Sequence, residues 1–222
     1  MKRITLLICI LFLVNSCEIQ YDGETKIVVT GKLIDQNENP LSKKEIEVTI
    51  NGGEALLSPS SDLISYGKSD QNGNFTLIFP APKSENSISI SINNIVNQPS
   101  EFQTKEIIAQ KINFENYKLD LNKITLYKNE SITTLKVILN NTSKSKQLIN
   151  IKIEGKQPNS YINLNPIQNN PFYYLETNYQ VIKNQTIILK YTVVDHSNIA
   201  TPTTNSVSIP IINDAVTYTI TY

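Results

Sequence analysis

The stretch Ser87-Ile88-Ser89-Ile90-Ser91-Ile92 places isoleucine at every second position. Successive side chains of a β-strand point to opposite faces, so this alternation puts the isoleucines on one face and the serines on the other. An α-helix would scatter the same isoleucines around its circumference, because its period is 3.6 residues. The stretch therefore predicts a strand with one apolar face.

The same alternation recurs along the chain on both sides of this stretch. It is found at 27–34, 45–50, 74–79, 149–153, 187–193 and 216–222. Turn-forming residues such as Asn39-Pro40 and Asn72-Gly73 separate the runs. No segment has convincing helical periodicity, and many short strands between turns are typical of β-sandwiches. We predict an all-β protein, with only residues 104–111 left open between a short helix and a polar strand.

The alternation also predicts which side chains of the first half are buried. The expected core residues are Val29, Leu33, Val48, Ile50, Phe75 and Leu77. Asn72-Gly73 is a dipeptide that favours hairpin turns with positive φ. Asp70 precedes it and is expected to accept backbone N–H groups of the turn that it opens. The repeated Asp-Gln-Asn at 35–37 and 70–72 is better explained by two turns than by duplication.

The first half combines Gly31 in a strand, a turn that ends in Pro40-Leu41, and the segment 69–75, which runs Ser-Asp-Gln-Asn-Gly-Asn-Phe. Together these features resemble the carboxypeptidase regulatory-like domain, a transthyretin-like seven-stranded sandwich. Asn39 and Ser69 stand where that family usually has Gly and Thr. Both departures are mild, because Asn tolerates positive φ and Ser keeps the hydroxyl.

The resemblance implies where this domain begins and ends. Its motif covers 27–79, and residues 119–126 resemble the closing strand of such domains. We therefore expect a transthyretin-like sandwich at 26–128 and a break near 127–131. Residues 130–222 contain no motif of a known family, but their strands suggest a second, Ig-like sandwich. The prediction for this part of the chain is two β-sandwich domains.

The first sixteen residues have the composition of a removable secretory signal. Met1-Lys2-Arg3 is a positive start, and an apolar run from Ile4 to Val14 follows it. Eleven residues of helix span about 16 Å, roughly half of a bilayer core. The run is thus too short for a stable membrane span and suits the apolar region of a signal peptide at 1–16.

The residues that follow resemble the bacterial lipobox. In Leu13-Val14-Asn15-Ser16-Cys17 an apolar residue lies three places before the cysteine and a small residue lies directly before it. The resemblance implies acylation of Cys17 on its sulfur and its amine, and two or more acyl chains hold a protein stably to a membrane. Residues 17–25 would then be the acylated cysteine and a short tether. The alternative is an ordinary signal peptide followed by a chance cysteine.

The composition argues against nucleic acid as a partner and bears on where in the cell the protein is found. Charges balance at 20 basic and 20 acidic residues, and loss of Lys2 and Arg3 leaves the mature chain slightly acidic. A chain without a basic run has no electrostatic footprint for nucleic acid. Composition and family resemblance are similar to those of Bacteroidota lipoproteins, which implies the outer membrane. Acidic residues soon after Cys17 favour the cell surface, and the periplasmic face is the alternative.

The residue types needed for several chemistries are missing or wrongly spaced. Catalytic zinc sites commonly use two or three histidines, whereas the chain has only His196. Asp195-His196-Ser197 contains the residues of a hydrolase triad, but adjacent residues in a strand point to opposite faces. The segment from Asp70 lacks the Gly and Glu positions of an EF-hand, with Phe75 and Ala81 in their place, which favours turn capping and leaves a weak calcium site as the alternative. We predict no catalytic residues, no metal and no cofactor.

Aromatic residues offer the remaining candidate for a binding site. Phe172-Tyr173-Tyr174, with Tyr161 and Tyr179, could stack on sugar rings, or could form one buried face of a strand. Tyr173 and Tyr174 are the candidate ligand-binding residues. The sequence predicts a lipid-anchored, non-enzymatic envelope protein that binds or supports another envelope protein or a glycan. The alternative is a carbohydrate-active or other enzyme whose carboxylates are dispersed in the sequence.

Overall fold

A computed structural model of the chain describes residues 19–52, 61–83, 86–94, 99–166, 175–197, 202–212 and 214–222. Within these ranges the chain forms fourteen strands and two three-residue 3-10 helices, which confirms the all-β class. The first strands are β1 Tyr21–Ile34, β2 Glu45–Asn51, β3 Ser61–Lys68, β4 Asn74–Pro82, β5 Ser87–Ile92, β6 Lys105–Ala109 and β7 Lys118–Thr125. The others are β8 Ile132–Asn140, β9 Lys146–Glu154, β10 Tyr161–Asn163, β11 Asn178–Ile182, β12 Gln185–Asp195, β13 Thr203–Ile211 and β14 Ala215–Thr221. The 3-10 helices are Lys111–Asn113 and Asn129–Ser131.

The chain divides into two compact units. The first is formed by the segments up to Val96, Thr104–Thr125 and Tyr161–Asn165, and the second by Asn97–Gln103, Leu126–Ser160 and Pro166–Tyr222. The short strand β10, which the sequence analysis placed in the second sandwich, pairs in parallel with β6 of the first unit. The segment 104–111, which the sequence left open, is the strand β6 followed by the start of a 3-10 helix.

The first unit has two sheets, with strand orders β4-β1-β7 and β10-β6-β5-β2-β3. All six of its predicted core residues are buried. In the first sheet Gly31 of β1 lies opposite Phe75 of β4. A Cβ on Gly31 would lie 2.7 Å from the Phe75 ring, so the glycine makes room for the aromatic side chain. This contact explains why a strand-interior glycine and the phenylalanine occur together in this sequence.

Two turns with the same hydrogen bonds lie at 35–39 and 70–74. In each, the first Asp accepts the backbone N–H groups of the residues two and four places later, at 2.8–2.9 Å. The structure thus confirms the expected role of Asp70. Gly73 has φ +80°, as predicted, whereas in the first turn the positive φ falls on Glu38 at 66°. Asn39 instead donates its side-chain amide to Asp35, at 3.0 Å.

The second unit has two sheets of three strands each, with orders β11-β8-β14 and β13-β12-β9. Alternate residues of both sheets meet in one apolar core. Its most buried members are Leu135, Val181, Ile187, Leu189, Ile211 and Ile220. β14 pairs in parallel with β8 through seven consecutive residues. One shared core for two sheets accounts for the alternation that 187–193 and 216–222 show in the sequence.

Candidate functional site

A surface cavity of about 650 Å³ lies in the first unit. Its lining residues come from the start of β1, the end of β4 and the segment between β6 and β7. They are Asp22, Thr25, Ile27, Ala81, Pro82, Lys83, Lys111, Phe114, Asn116 and Tyr117. A concave site with aromatic side chains and a few charged groups has the chemistry expected of a binding site.

β1 and β4 form one part of the cavity lining because they pair as antiparallel neighbours. Tyr21 lies opposite Pro82, and the backbone N–H of Lys83 donates to the carbonyl of Gln20 at 2.8 Å. Ile19, one residue earlier, is buried. The pairing therefore fixes the chain from Ile19 onward, within the residues 17–25 that were expected to be the acylated cysteine and a short tether.

A tight turn at 115–118, in the segment between β6 and β7, places the side chain of Tyr117 at the cavity. Glu115 and Lys118 exchange two backbone hydrogen bonds of 2.9 Å, and the central residues Asn116 and Tyr117 have φ of 48° and 64°. Such turns favour glycine at the second central position, because positive φ strains larger residues. The Tyr117 carbonyl accepts the N–H of Val28 at 2.9 Å, while its side chain is 64% exposed. Strained residues are found preferentially at functional sites.

Three charged side chains line the cavity. The Lys111 ammonium donates to the carbonyl of Lys83 at 3.0 Å, which holds one cation at the lining. Asp22 accepts hydrogen bonds from the Thr25 hydroxyl and from the backbone N–H of Glu24. The Thr25 hydroxyl, followed by that N–H, lowers the pKa of Asp22. Asp22 is thus ionised at neutral pH and lacks the raised pKa of a general acid.

The described lining contains one carboxylate, whereas a typical glycosidase uses two on either side of the scissile bond. Hydrogen bonds also lower the pKa of six other carboxylates: Glu45, Asp70, Asp120, Glu154, Asp195 and Asp214. The geometry suits binding through apolar and charged contacts better than acid–base chemistry.

Only some of the candidate site residues from the sequence lie within the described part of the chain. Cys17, Tyr173 and Tyr174 lie outside the described residues. Tyr161 is exposed on β10 of the first unit, whereas Tyr179 is buried in the second and its hydroxyl donates to the Glu176 carbonyl at 2.6 Å. The two tyrosines therefore belong to different units.

Asp195, His196 and Ser197 do not form a relay. The Asp195 carboxylate accepts the backbone N–H and the hydroxyl of Ser197, at 2.9 and 2.7 Å. These bonds lower the pKa of Asp195 to about 2. The His196 ring bonds to the side chain of Gln147 at 3.1 Å. In a triad the histidine would lie between the carboxylate and the hydroxyl.

The described part of the chain contains no cluster of three or more His, Cys, Asp or Glu side chains arranged to hold a metal ion. None of its helices has the length and apolar character needed to cross a membrane.

None of the cavity residues was predicted as a site residue from the sequence. The signal nearest to them was Asn116-Tyr117, a turn-like pair between Phe114 and the strand that begins at Lys118. The other lining residues lie far from this pair along the chain. Only the strand order of the first sheet brings them together.

No family model matches the chain, and no curated protein matches it either. Among solved structures, a 9R-lipoxygenase from Cyanothece PCC8801 is 21% identical over 55% of this chain, with a TM-score of 0.30. A 3-chlorocatechol 1,2-dioxygenase from Rhodococcus opacus 1CP is 14% identical over 50%, with a TM-score of 0.34. A point mutant of the shaft pilin SpaA from Lactobacillus rhamnosus GG is 8% identical over 89% of this chain and 98% of its own, with a TM-score of 0.34.

The chain spans 20% of the lipoxygenase and 61% of the dioxygenase. At these TM-scores the likenesses carry no argument about function.

Proposed function

We propose that this chain is a lipid-anchored, non-enzymatic binding protein of the bacterial cell envelope. In this proposal residues 26–128 are a transthyretin-like sandwich of the carboxypeptidase regulatory-like type, and residues 130–222 are an Ig-like sandwich. The two-sheet organisation of each unit and the shared core of the second support it. The outer membrane is the proposed place, at its surface or its periplasmic face.

The observation that carries the binding role is the cavity at the start of β1. Its lining combines the aromatic side chains of Phe114 and Tyr117 with two lysines and one ionised aspartate. Aromatic faces and flexible cations suit contact with an amphipathic or polar partner. The partners that the proposal allows are an envelope protein, a glycan and the membrane that holds the anchor.

The anchor is supported by the sequence pattern at 1–17. A positive start, a short apolar run and a small residue before Cys17 are what lipoprotein processing requires. Two acyl chains bind a bilayer stably, at roughly 0.8 kcal/mol per buried CH₂. Acylation at Cys17 would therefore fix the protein permanently at a membrane surface.

The anchor is tested with the full chain expressed in its bacterial envelope. We expect Cys17→Ser to move the protein from the detergent phase to the aqueous phase of a cloud-point extraction, because the acyl chains are lost. Cys9→Ser is the matched control: Cys9 lies within the proposed signal peptide, so this change should leave the partitioning unaltered. A Cys17→Ser protein that partitions like the parent would show that the lipoprotein assignment is wrong.

A further inference from the structure

The cavity lies close to the residue that would bear the lipid. Lys83, which lines it, donates its backbone N–H to Gln20, and Ile19 is buried directly before Gln20. Cys17 is two residues before Ile19, and a residue of extended chain spans at most about 3.6 Å. Covalent geometry thus keeps the Cα atom of Cys17 within roughly 7 Å of the Cα atom of Ile19.

The surface beside the cavity has the side chains found at membrane interfaces. Ile112 of the first 3-10 helix is 80% exposed and Tyr117 is 64% exposed, although both are large and apolar. Tyr117, Lys83 and Lys111 line the cavity, and Ile112 directly follows Lys111 in the 3-10 helix. Tyrosine is enriched at the boundary between hydrocarbon and headgroups, and lysine can bury its stem there while its ammonium stays in water.

Net charge does not select the partner of this surface. Within 22–27, 81–83 and 111–117 the charges balance, with Lys26, Lys83 and Lys111 offset by Asp22, Glu24 and Glu115. The driving force available is therefore burial of apolar side chains rather than attraction to an anionic surface. Binding of this surface to a bilayer should therefore not require anionic lipids.

We propose that the four residues Ile112, Tyr117, Lys83 and Lys111 form a membrane-contact patch. The patch lies in the headgroup layer of the bilayer that holds acylated Cys17. The inference rests on the proposed lipid anchor and adds a second point of contact to it. With two points of contact the first unit has a fixed orientation, and its cavity opens to lipid headgroups.

The opposite end of the first unit then points away from the bilayer. β4 runs from Asn74 to Pro82, and nine residues of strand span roughly 26 Å. The exposed turn that contains Gln71 precedes Asn74, while Lys83 follows Pro82. Ile112 and Gln71 therefore provide one position at the proposed contact and one control position distant from it.

The experiment uses the full lipidated protein, purified from membranes and reconstituted in phosphatidylcholine vesicles. Ile112→Cys and Gln71→Cys each introduce one free thiol, since Cys17 is acylated and Cys9 is removed with the signal. Each thiol is labelled with an environment-sensitive dye, and nitroxide-labelled lipids are added as quenchers. We expect a blue shift and loss of most emission at position 112, and neither change at position 71. Both positions are exposed, so the substitutions leave the core intact.

The outcomes separate the patch from the anchor. If the protein floats with the vesicles but position 112 is no more quenched than position 71, the patch is wrong and the anchor stands. A protein that does not float with the vesicles refutes the anchor, and the patch with it. Quenching that requires anionic lipid would contradict the apolar contact. A dye at position 112 that is shielded in whole envelopes but not in vesicles would assign the surface to a protein or a glycan instead.

Discussion

At the scale of single residues, the turn at 70–74 shows how backbone geometry restricts the sequence. Gly73 has a positive φ, and a Cβ at this position would lie 2.3 Å from the backbone oxygen of Leu33. The same oxygen accepts the N–H of Leu41, and the Gly73 oxygen accepts the N–H of Leu33. The surrounding backbone is hydrogen-bonded and cannot move away from a side chain at low cost.

Gly73→Val should therefore destabilise the protein strongly. Positive φ alone costs a branched residue about 1–3 kcal/mol, and the contact with Leu33 adds to that cost. Gly23→Val is the control, because nothing lies within 4 Å of its Cβ position and its φ is not positive. We expect that variant to stay within about 0.5 kcal/mol of the parent. Urea unfolding measures both, and equal midpoints for the two variants would contradict the explanation.

Local sequence signals predicted these residue-scale features well. Asn-Gly and the Asp before it are short-range signals, so the turn geometry at 70–74 followed from adjacent residues alone. The turn at 35–39 has the same bonds, yet its positive φ falls on Glu38 instead of the expected Asn39. Positive φ at Tyr117 was not predicted, because tyrosine carries no intrinsic preference for that region.

At the scale of elements, β6 contains a buried lysine. Lys105 begins this strand and is only 5% exposed, in a face that it shares with Ile107 and Ala109. Burial lowers the pKa of Lys105 to about 8, because its ammonium form loses hydration. In the unfolded chain the pKa would be near 10.5, so the folded state releases its proton at lower pH than the unfolded state does.

The free energy of unfolding should therefore rise as the pH increases from about 8 to 10. In this window the unfolded state binds more protons than the folded state, which makes the slope positive. Lys105→Met should remove the rise, and Lys123→Met, which changes an exposed lysine, should keep it. Chemical unfolding at several pH values gives the slopes. Identical slopes for the two variants would show that Lys105 is not the group responsible.

Tyr21 opposes the rise in the free energy of unfolding at the upper end of this pH range. Burial and a hydrogen bond to Asp62 raise the pKa of Tyr21 to about 12. Its contribution is complete below pH 10 and decreases as the pH approaches 12, the opposite sign to that of Lys105.

Lys105 also explains why the sequence left 104–111 open. A lysine at an inward position interrupts the apolar alternation that predicted the other strands. Residues 161–163 are too few to show any period, and their pairing with β6 depends on residues more than fifty places away. Strands such as β5, β12 and β14 were predicted because each repeats the alternation of apolar and polar residues over six or more residues.

At the scale of the whole molecule, each unit has buried apolar residues of its own. Phe75 belongs to the first unit and Leu189 to the core of the second. We expect Phe75→Ala to cost about 3–5 kcal/mol and Leu189→Ala about 2–5 kcal/mol, as for comparable truncations in other cores. If the two units are separate domains as proposed, calorimetry should show two transitions, and each variant should lower a different one. One transition lowered by both variants would refute the two-domain proposal.

The cavity could not have been predicted from single residues or from single strands and turns. Its residues come from 22–27, 81–83 and 111–117, and none of these segments has a motif of its own. They meet because β1 lies between β4 and β7 in one sheet. Strand order depends on non-local pairing, which alternation within a strand does not specify.

In both units a strand near the start pairs in parallel with a strand near the end, so the sheet cannot close until most of the unit has been synthesised. Val28 of β1 pairs with Lys118 of β7, and Thr134 of β8 pairs with Ala215 of β14. Loop closure over such long separations is slow, and a contact map dominated by them gives a high contact order. A chain that emerges from its N-terminus must deliver almost a whole unit before the final strand can close the sheet. If the chain is exported as proposed, this late closure would leave folding to finish after translocation across the membrane.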